Sequence, residues 1–450
     1  MSKTTLFLLS CLFALVLVSG DLIAQSTTLT GSWPHWMGPD RNNTWNESGL
    51  IDKFPEGGPA IAWRTKIGSG YSGPAIANGK VIISDFVTND DFTQSNFQRL
   101  KMKGTERVLC LDEKTGKEIW KHEVDLVYAI SYPAGPRCTP VIEGDRVYTL
   151  GAEGNLYCFN LETGDVIWSK ELKKEYKTNS ALWGYAGHPL IDGDNLITLA
   201  GGRGSHVVAL NKNDGTEVWR SSTSKETGYS PPTIINASGV RQLILLRPDA
   251  VSSVNPDTGS EYWSVPYEAT SNSIIMSPVC FDNYVYAAGY SRKSLMIELG
   301  KDAPTAKELW RNKGRDAISP VNVQPYFDKK TNVLYGMDHN GEMRATQLPE
   351  GKLLWKTTEP IPGRRAGNGT AFIVRQGDSD RYWLFNDVGE LVIAEMTPKG
   401  YQGIDRAKVI EPTNRAFNRP VVWSMPAFAN RRAYIRNDKE IICVELGKSE

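Results

Sequence analysis

Two histidines open the search for chemistry. His188 in "GYAGHP" and His339 in "MDHNG" carry the side chain that titrates nearest neutrality, the usual general base or metal ligand. Neither has the company that catalysis needs. The chain holds 5 His and 6 Cys, no two Cys are adjacent, and no C-x-x-C or C-x-x-C-H occurs, so zinc ribbons, thioredoxin chemistry and covalent haem are unsupported. No Ser or Cys nucleophile motif pairs with either His, and each reads first as a turn or satisfied core residue. The stretch "MDHNGE" (337–342) lacks the regular oxygen spacing of a calcium loop. No metal is assigned. "GGRGS" (201–205) opens a strand, not a helix, which makes it a hairpin and not a phosphate loop.

Arginines and aromatic rings are the better candidates. A guanidinium fork matches carboxylates and phosphates, and Tyr or Trp rings suit a flat or sugar ligand. Loops between short strands carry Arg203, Arg247, Arg315, Arg364 and Trp423, with Tyr71, Tyr185, Tyr229 and His188 as further members. Brought to one face, they would line an anion-preferring funnel with aromatic walls. The competing reading pairs each Arg with a neighbouring Asp or Glu, so that it only pins its loop.

Whether they meet depends on a repeat. "LDEKTGKEIW" (111–120) returns as "FNLETGDVIW" (159–168), "LNKNDGTEVW" (210–219) and "VNPDTGSEYW" (254–263), each with Gly at the sixth place and Trp at the end. Working back through 138–168, a Pro-led strand, a Gly-Asp turn, "RVYTL", a Gly-rich turn, "LYCFN", the T-G turn and a closing strand follow in order. That is four short antiparallel strands. The closing residues Trp120, Trp168, Trp219, Trp263, Trp310 and Trp355 recur every 44 to 51 residues, the spacing of β-propeller blades. Each Trp is expected as a wedge docked between neighbouring blades.

Eight blade entries can be counted, at 72, 138, 187, 230, 276, 319, 368 and 424. The last blade ends with three strands and no closing Trp, while "PAIAWRTKI" (59–67) near the other end supplies a strand with Trp63 at the closing position. The fold class predicted is therefore all-β: an eight-bladed propeller over 59–450, its ring closed by N- and C-terminal strands, which leaves no open edge. Blade seven has "GYQGIDRAKVI" where a Trp is due, a degenerate closure. Residues 86–106 lengthen a hairpin of blade one. Residues 25–58, with Trp33, Trp36, Trp45 and Phe54 among turn formers, read as an ordered clasp on the ring. Cys110, Cys158 and Cys443 share one repeat position with Ala209 and Ser253, a place for a small buried residue.

Residues 1–24 have the layout of a secretory signal peptide, a short basic start and an apolar run before small residues, which predicts an extracytoplasmic (periplasmic or secreted) protein. No later stretch is long and apolar enough to span a bilayer. Lys+Arg and Asp+Glu both number 51, and nothing in that balance calls for nucleic acid. A monomer is expected.

The pattern L-[D/N]-x-x-[T/D]-G-x-x-x-W, repeated round a ring, resembles the tryptophan-docking repeat of quinoprotein-type (PQQ-like) propellers. Three branches share that ring: quinoprotein alcohol and glucose dehydrogenases, the outer-membrane barrel-assembly lipoprotein BamB, and secreted bacterial PQQ-like repeat proteins. The "WPHWMGPDRN" stretch is most like the third. The dehydrogenase branch implies pyrroloquinoline quinone with calcium, a vicinal Cys pair, an Asp base and a Glu, Asn and Asp calcium set. The Cys pair is missing here, and no base and calcium set can be placed. Cys11 follows "LLS" without forming a proper lipobox, which departs from the BamB branch. The expectation is a non-catalytic binding or scaffold propeller with no cofactor, recognising a protein or glycan partner or a small anionic ligand at its funnel. A quinone-dependent dehydrogenase of alcohols or sugars and a BamB-like assembly factor are the alternatives.

Overall fold

Short β-branched runs separated by Gly, Asn and Asp turns leave each repeat no option but a meander, and one meander cannot cover both its faces. A computed structural model describes residues 31–90, 96–361 and 367–448. Eight four-stranded antiparallel meanders follow one another round a central axis, one of them extended by a fifth, parallel strand. The protein is an all-β, eight-bladed propeller. The innermost strands are Ala75–Ala77, Val141–Glu143, Leu190–Asp192, Thr233–Ala237, Val279–Phe281, Tyr326–Asp328, Ala371–Gln376 and Ala427–Ala429. Seven begin three residues after the expected entry. Blade six differs: "SPVNV" at 319 is an entry loop, and the strand is carried by the later Pro325-Tyr326-Phe327.

The repeated turn and the repeated Trp prove to be two halves of one contact. The Nε1–H of Trp63 donates to Glu113 O at 2.9 Å, Trp120 to Leu161 O at 2.9 Å, Trp168 to Lys212 O at 3.0 Å and Trp219 to Pro256 O at 2.9 Å, each in the next blade's turn. Trp310 and Trp355 reach Pro349 O and Thr397 O in the same way. The turn Gly lies against the indole: a Cβ on Gly116, Gly164, Gly215 or Gly259 would stand 2.5 to 2.8 Å from the docked ring, and all four have positive φ. Glycine is needed there twice over. Trp263 faces a blade whose turn lacks this Gly, and its indole donates to Gln242 in its own blade instead. Cys110, Cys158 and Cys443 pair across the ladder with Trp120, Trp168 and Trp63, fully buried and free.

Ring closure takes the expected form. Ile61–Lys66 is the outer strand of blade eight, with Trp63 opposite Cys443. In blade seven the docking register falls on Asp405, opposite Ile393 at the same bulge. The clasp covers that place: Phe54 N–H donates to Asp405 Oδ2 at 2.8 Å, and Phe54 meets Trp383 edge to face at 6.2 Å. The clasp also threads the ring. Trp33 bridges Ile76 of blade one, Ile142 N–H of blade two donates to Pro34 O, Arg41 donates to Pro189 O of blade three, and Thr44–Trp45 adds a parallel strand to blade seven. Trp33 and Trp45 are both buried and part of the core. The expected signal peptide lies outside the described residues.

Candidate functional site

The blade-entry loops converge on one face around a cavity of about 220 Å³. That is smaller than the roughly 300–1,000 Å³ of drug-sized sites and suits one ring-shaped molecule. Its lining is aromatic. The clasp, crossing the inner strands, delivers Trp36, whose ring lies parallel to His188 with centroids 4.5 Å apart and planes 8° off. Entry loops bring Tyr71, Tyr132, Trp183, Tyr229 and Trp423 to the walls. At the mouth, Phe97 of the blade-one insertion packs against Trp183 at 5.7 Å, and Phe417 against Trp423 at 6.2 Å. Both phenylalanines are about half exposed and both have positive φ, a strained conformation for a bulky residue.

The polar groups among these rings are neutral or committed. Thr139 N–H donates to His188 Nδ1 at 3.0 Å, and burial, with Arg41 nearby, holds His188 well below the usual histidine range. His188 is thus a neutral ring with its proton on Nε2. Arg137 is the single cation of the lining among the described residues; it donates to the carbonyls of Trp183 at 2.9 Å and Ser131 at 3.0 Å, and to those of Gly135 and Tyr132. Its guanidinium lies 5.1 Å from the Tyr71 ring centroid. No carboxylate lines the cavity among the described residues; Asn96, Asn322, Asn368, Ser271 and Ser273 complete it.

The residues expected to form the funnel divide. Tyr71, His188, Tyr229 and Trp423 line it. Tyr185 does not: it closes the contact of blades two and three, donating to Ala200 O at 3.0 Å with its ring against Gly154. The expected arginine wall is absent among the described residues. Arg247 is buried and faces Asp249 at 3.5 Å and Glu261 at 3.9 Å, which makes it a loop pin. Arg203 and Arg315 are exposed and outside the lining. Arg364 lies outside the described residues. His339 is likewise a pin, 3.2 Å from Asp338, which Arg344 also holds at 3.0 Å. Missed were Trp36, Tyr132, Trp183, Phe97 and Phe417. Their one sequence signal was aromatic residues spent in segments without strand alternation.

The family model described as outer membrane protein assembly factor BamB matches residues 104–357 and 247–447, most of the chain. The chain belongs to that family of PQQ-like propellers. A BamB of Moranella endobia (strain PCIT) is 22% identical over 359 residues, 74% of this chain and 82% of the relative. A BamB of Yersinia pestis is 26% identical over 57% of this chain and 62% of its own length. Quinoprotein alcohol dehydrogenase PedH of Pseudomonas putida is 30% identical, over only 27% of this chain and 21% of that one. Among solved structures, BamB from Moraxella catarrhalis superposes with a TM-score of 0.53 at 15% identity, covering 85% of this chain and 99% of that one. A quinohemoprotein alcohol dehydrogenase from Pseudomonas putida HK5 reaches 0.60 at 10% identity, over 93% and 81%. At such identities these likenesses speak for the fold alone.

Proposed function

We propose that this chain is an extracytoplasmic, non-catalytic binding propeller whose aromatic funnel takes a small ring-shaped ligand. The observation that carries the reading is the Trp36–His188 stack, which floors a cup of aromatic walls. Flat rings with neutral amides and hydroxyls between them favour a ligand with apolar faces and a polar edge. The layout of residues 1–24 and the outer-membrane names of the relatives support the extracytoplasmic placement.

A quinone site is less well supported. Pyrroloquinoline quinone is a planar tricarboxylate, and among the described residues the lining holds one guanidinium, already given to backbone carbonyls. No group of three His, Cys, Asp or Glu among the described residues could hold a metal ion. The described residues therefore do not fit the quinone with calcium.

A second reading, a protein-binding scaffold like the assembly factors, has its own observation. Ile119, Ile167, Val218 and Leu309, each directly before a docking Trp, are 42% to 51% exposed and place aliphatic groups round the rim. Calorimetric titration with ring-shaped ligands separates the two readings. Binding lost in Trp423→Ala supports the funnel; ligand-independent capture of an unfolded outer-membrane protein, lost in Ile167→Asp, supports the scaffold.

A further inference from the structure

The funnel continues into a second space. Tyr132, Phe417 and Asn96 line both it and a groove of about 960 Å³, which runs between the blade-one hairpin and the extra hairpin of Asn414–Ala416 and Arg419–Val421. Where the funnel is aromatic, the groove is polar, with Ser69, Thr88, Thr413, Asn414 and Asn418 on its walls.

Two of its cations lack a carboxylate partner among the described residues. Arg107 is consumed by Asp85, through Nε at 2.8 Å and Nη2 at 2.6 Å. Asp90 Oδ2 accepts Lys103 N–H at 2.8 Å. Asp438 Oδ1 accepts Gly70 N–H at 3.1 Å; burial pushes its carboxyl up, while Arg436 and that hydrogen bond oppose the shift. Lys66 and Arg415 remain, both exposed on the groove and neither in ion-pair contact with a carboxylate among the described residues; Arg415 reaches only the Asn418 carbonyl at 3.5 Å. The groove is a polar channel with two unspent cations at the lip of an aromatic cup.

We infer that funnel and groove together bind an acidic oligosaccharide, one sugar ring stacked in the funnel and a carboxylated or sulfated unit across the Tyr132–Phe417 ridge, against Arg415 and Lys66. The inference rests on the funnel being a ligand site. A sugar fits both halves, because its ring has apolar faces and a hydroxyl edge. The phenyl ring of a peptide side chain would cover Asn322, Asn368 and Ser273 without offering them hydrogen bonds, which costs free energy for each group left dry. A single heterocycle would fill the funnel and leave the groove empty.

The test is calorimetry of the full protein with a panel of uronate oligosaccharides, their carboxyl-reduced counterparts, and oligoglutamate of equal charge. The acidic sugars should bind about tenfold more tightly than their reduced forms. That preference should shrink at high salt and vanish in the K66Q/R415Q double variant. Equal binding of acidic and reduced sugars, with both lost in Trp423→Ala, would overturn the inference while leaving the funnel reading intact. Oligoglutamate binding as tightly as the uronates would overturn it in favour of an acidic peptide. No saccharide binding at all would overturn the inference, and the funnel reading would then stand or fall with the other ring-shaped ligands.

Discussion

The Cβ that Gly164 lacks would stand 2.6 Å from the Trp120 ring of the preceding blade. The glycine of one repeat thus carries the tryptophan of its neighbour, and the two most regular letters of the sequence form one inter-blade contact. Gly164→Ala must both enter the left-handed region, at φ +75, and push the indole away. It should cost about 2–4 kcal/mol, read as a lowered denaturant midpoint. Gly144→Ala isolates the first effect: its φ is +59 but nothing lies within 4 Å of the added carbon. About 1 kcal/mol is expected there. Equal losses in the two variants would mean that the docking contact contributes nothing.

Blade seven replaces the tryptophan with Asp405, which holds the clasp by Phe54 N–H at 2.8 Å. Asp405→Ala removes a charge-assisted bond at a half-buried site, a loss of about 1–2 kcal/mol. Amide exchange should accelerate selectively at residues 51–56, with the blades still protected. Uniform acceleration through blade seven would show Asp405 serving its sheet instead of the clasp.

Much of this architecture was legible beforehand. A period of 44 to 51 residues, the Trp63 strand opposite an unfinished last blade, and the small residues Cys110, Cys158 and Cys443 facing Trp120, Trp168 and Trp63 all follow from backbone rules that side chains obey locally. The funnel was not legible to the same degree. Trp36 reaches its place only because the clasp crosses three inner strands and one entry loop, and nothing near residue 36 records that path. Arg247 shows the opposite error: its loop was placed on the right face, but a loop position does not tell which way a long side chain turns, and Asp249 and Glu261 claim it.

Glu106 is buried between blades one and two, accepting from Tyr128 Oη at 2.5 Å and Ala152 N–H at 3.1 Å, and desolvation raises its carboxyl to about 7. The folded state therefore holds this proton more tightly than the unfolded one. Its contribution to stability is complete below about pH 4.5 and is lost as pH rises through 7, by about 3 kcal/mol. Glu106→Gln should flatten the denaturation midpoint between pH 5 and 8 relative to the parent. An unchanged slope would place the titration elsewhere.

Burial keeps His188 neutral far below its ordinary range, and no carboxylate lines the funnel among the described residues. The lining histidine therefore stays neutral between about pH 5.5 and 8. Affinity for a neutral ring-shaped ligand should stay within twofold across that interval. A bell-shaped or sigmoid profile would point to a titrating base in the site.

The most direct measurement is calorimetric titration of the folded protein with neutral sugars and with pyrroloquinoline quinone plus calcium, repeated in Trp423→Ala and Trp36→Ala. The funnel account predicts saturable sugar binding weakened at least tenfold by each substitution, with the quinone showing no tight site and no dye-linked oxidation of alcohols. Sugar binding untouched by both substitutions, or quinone binding with turnover, would contradict it.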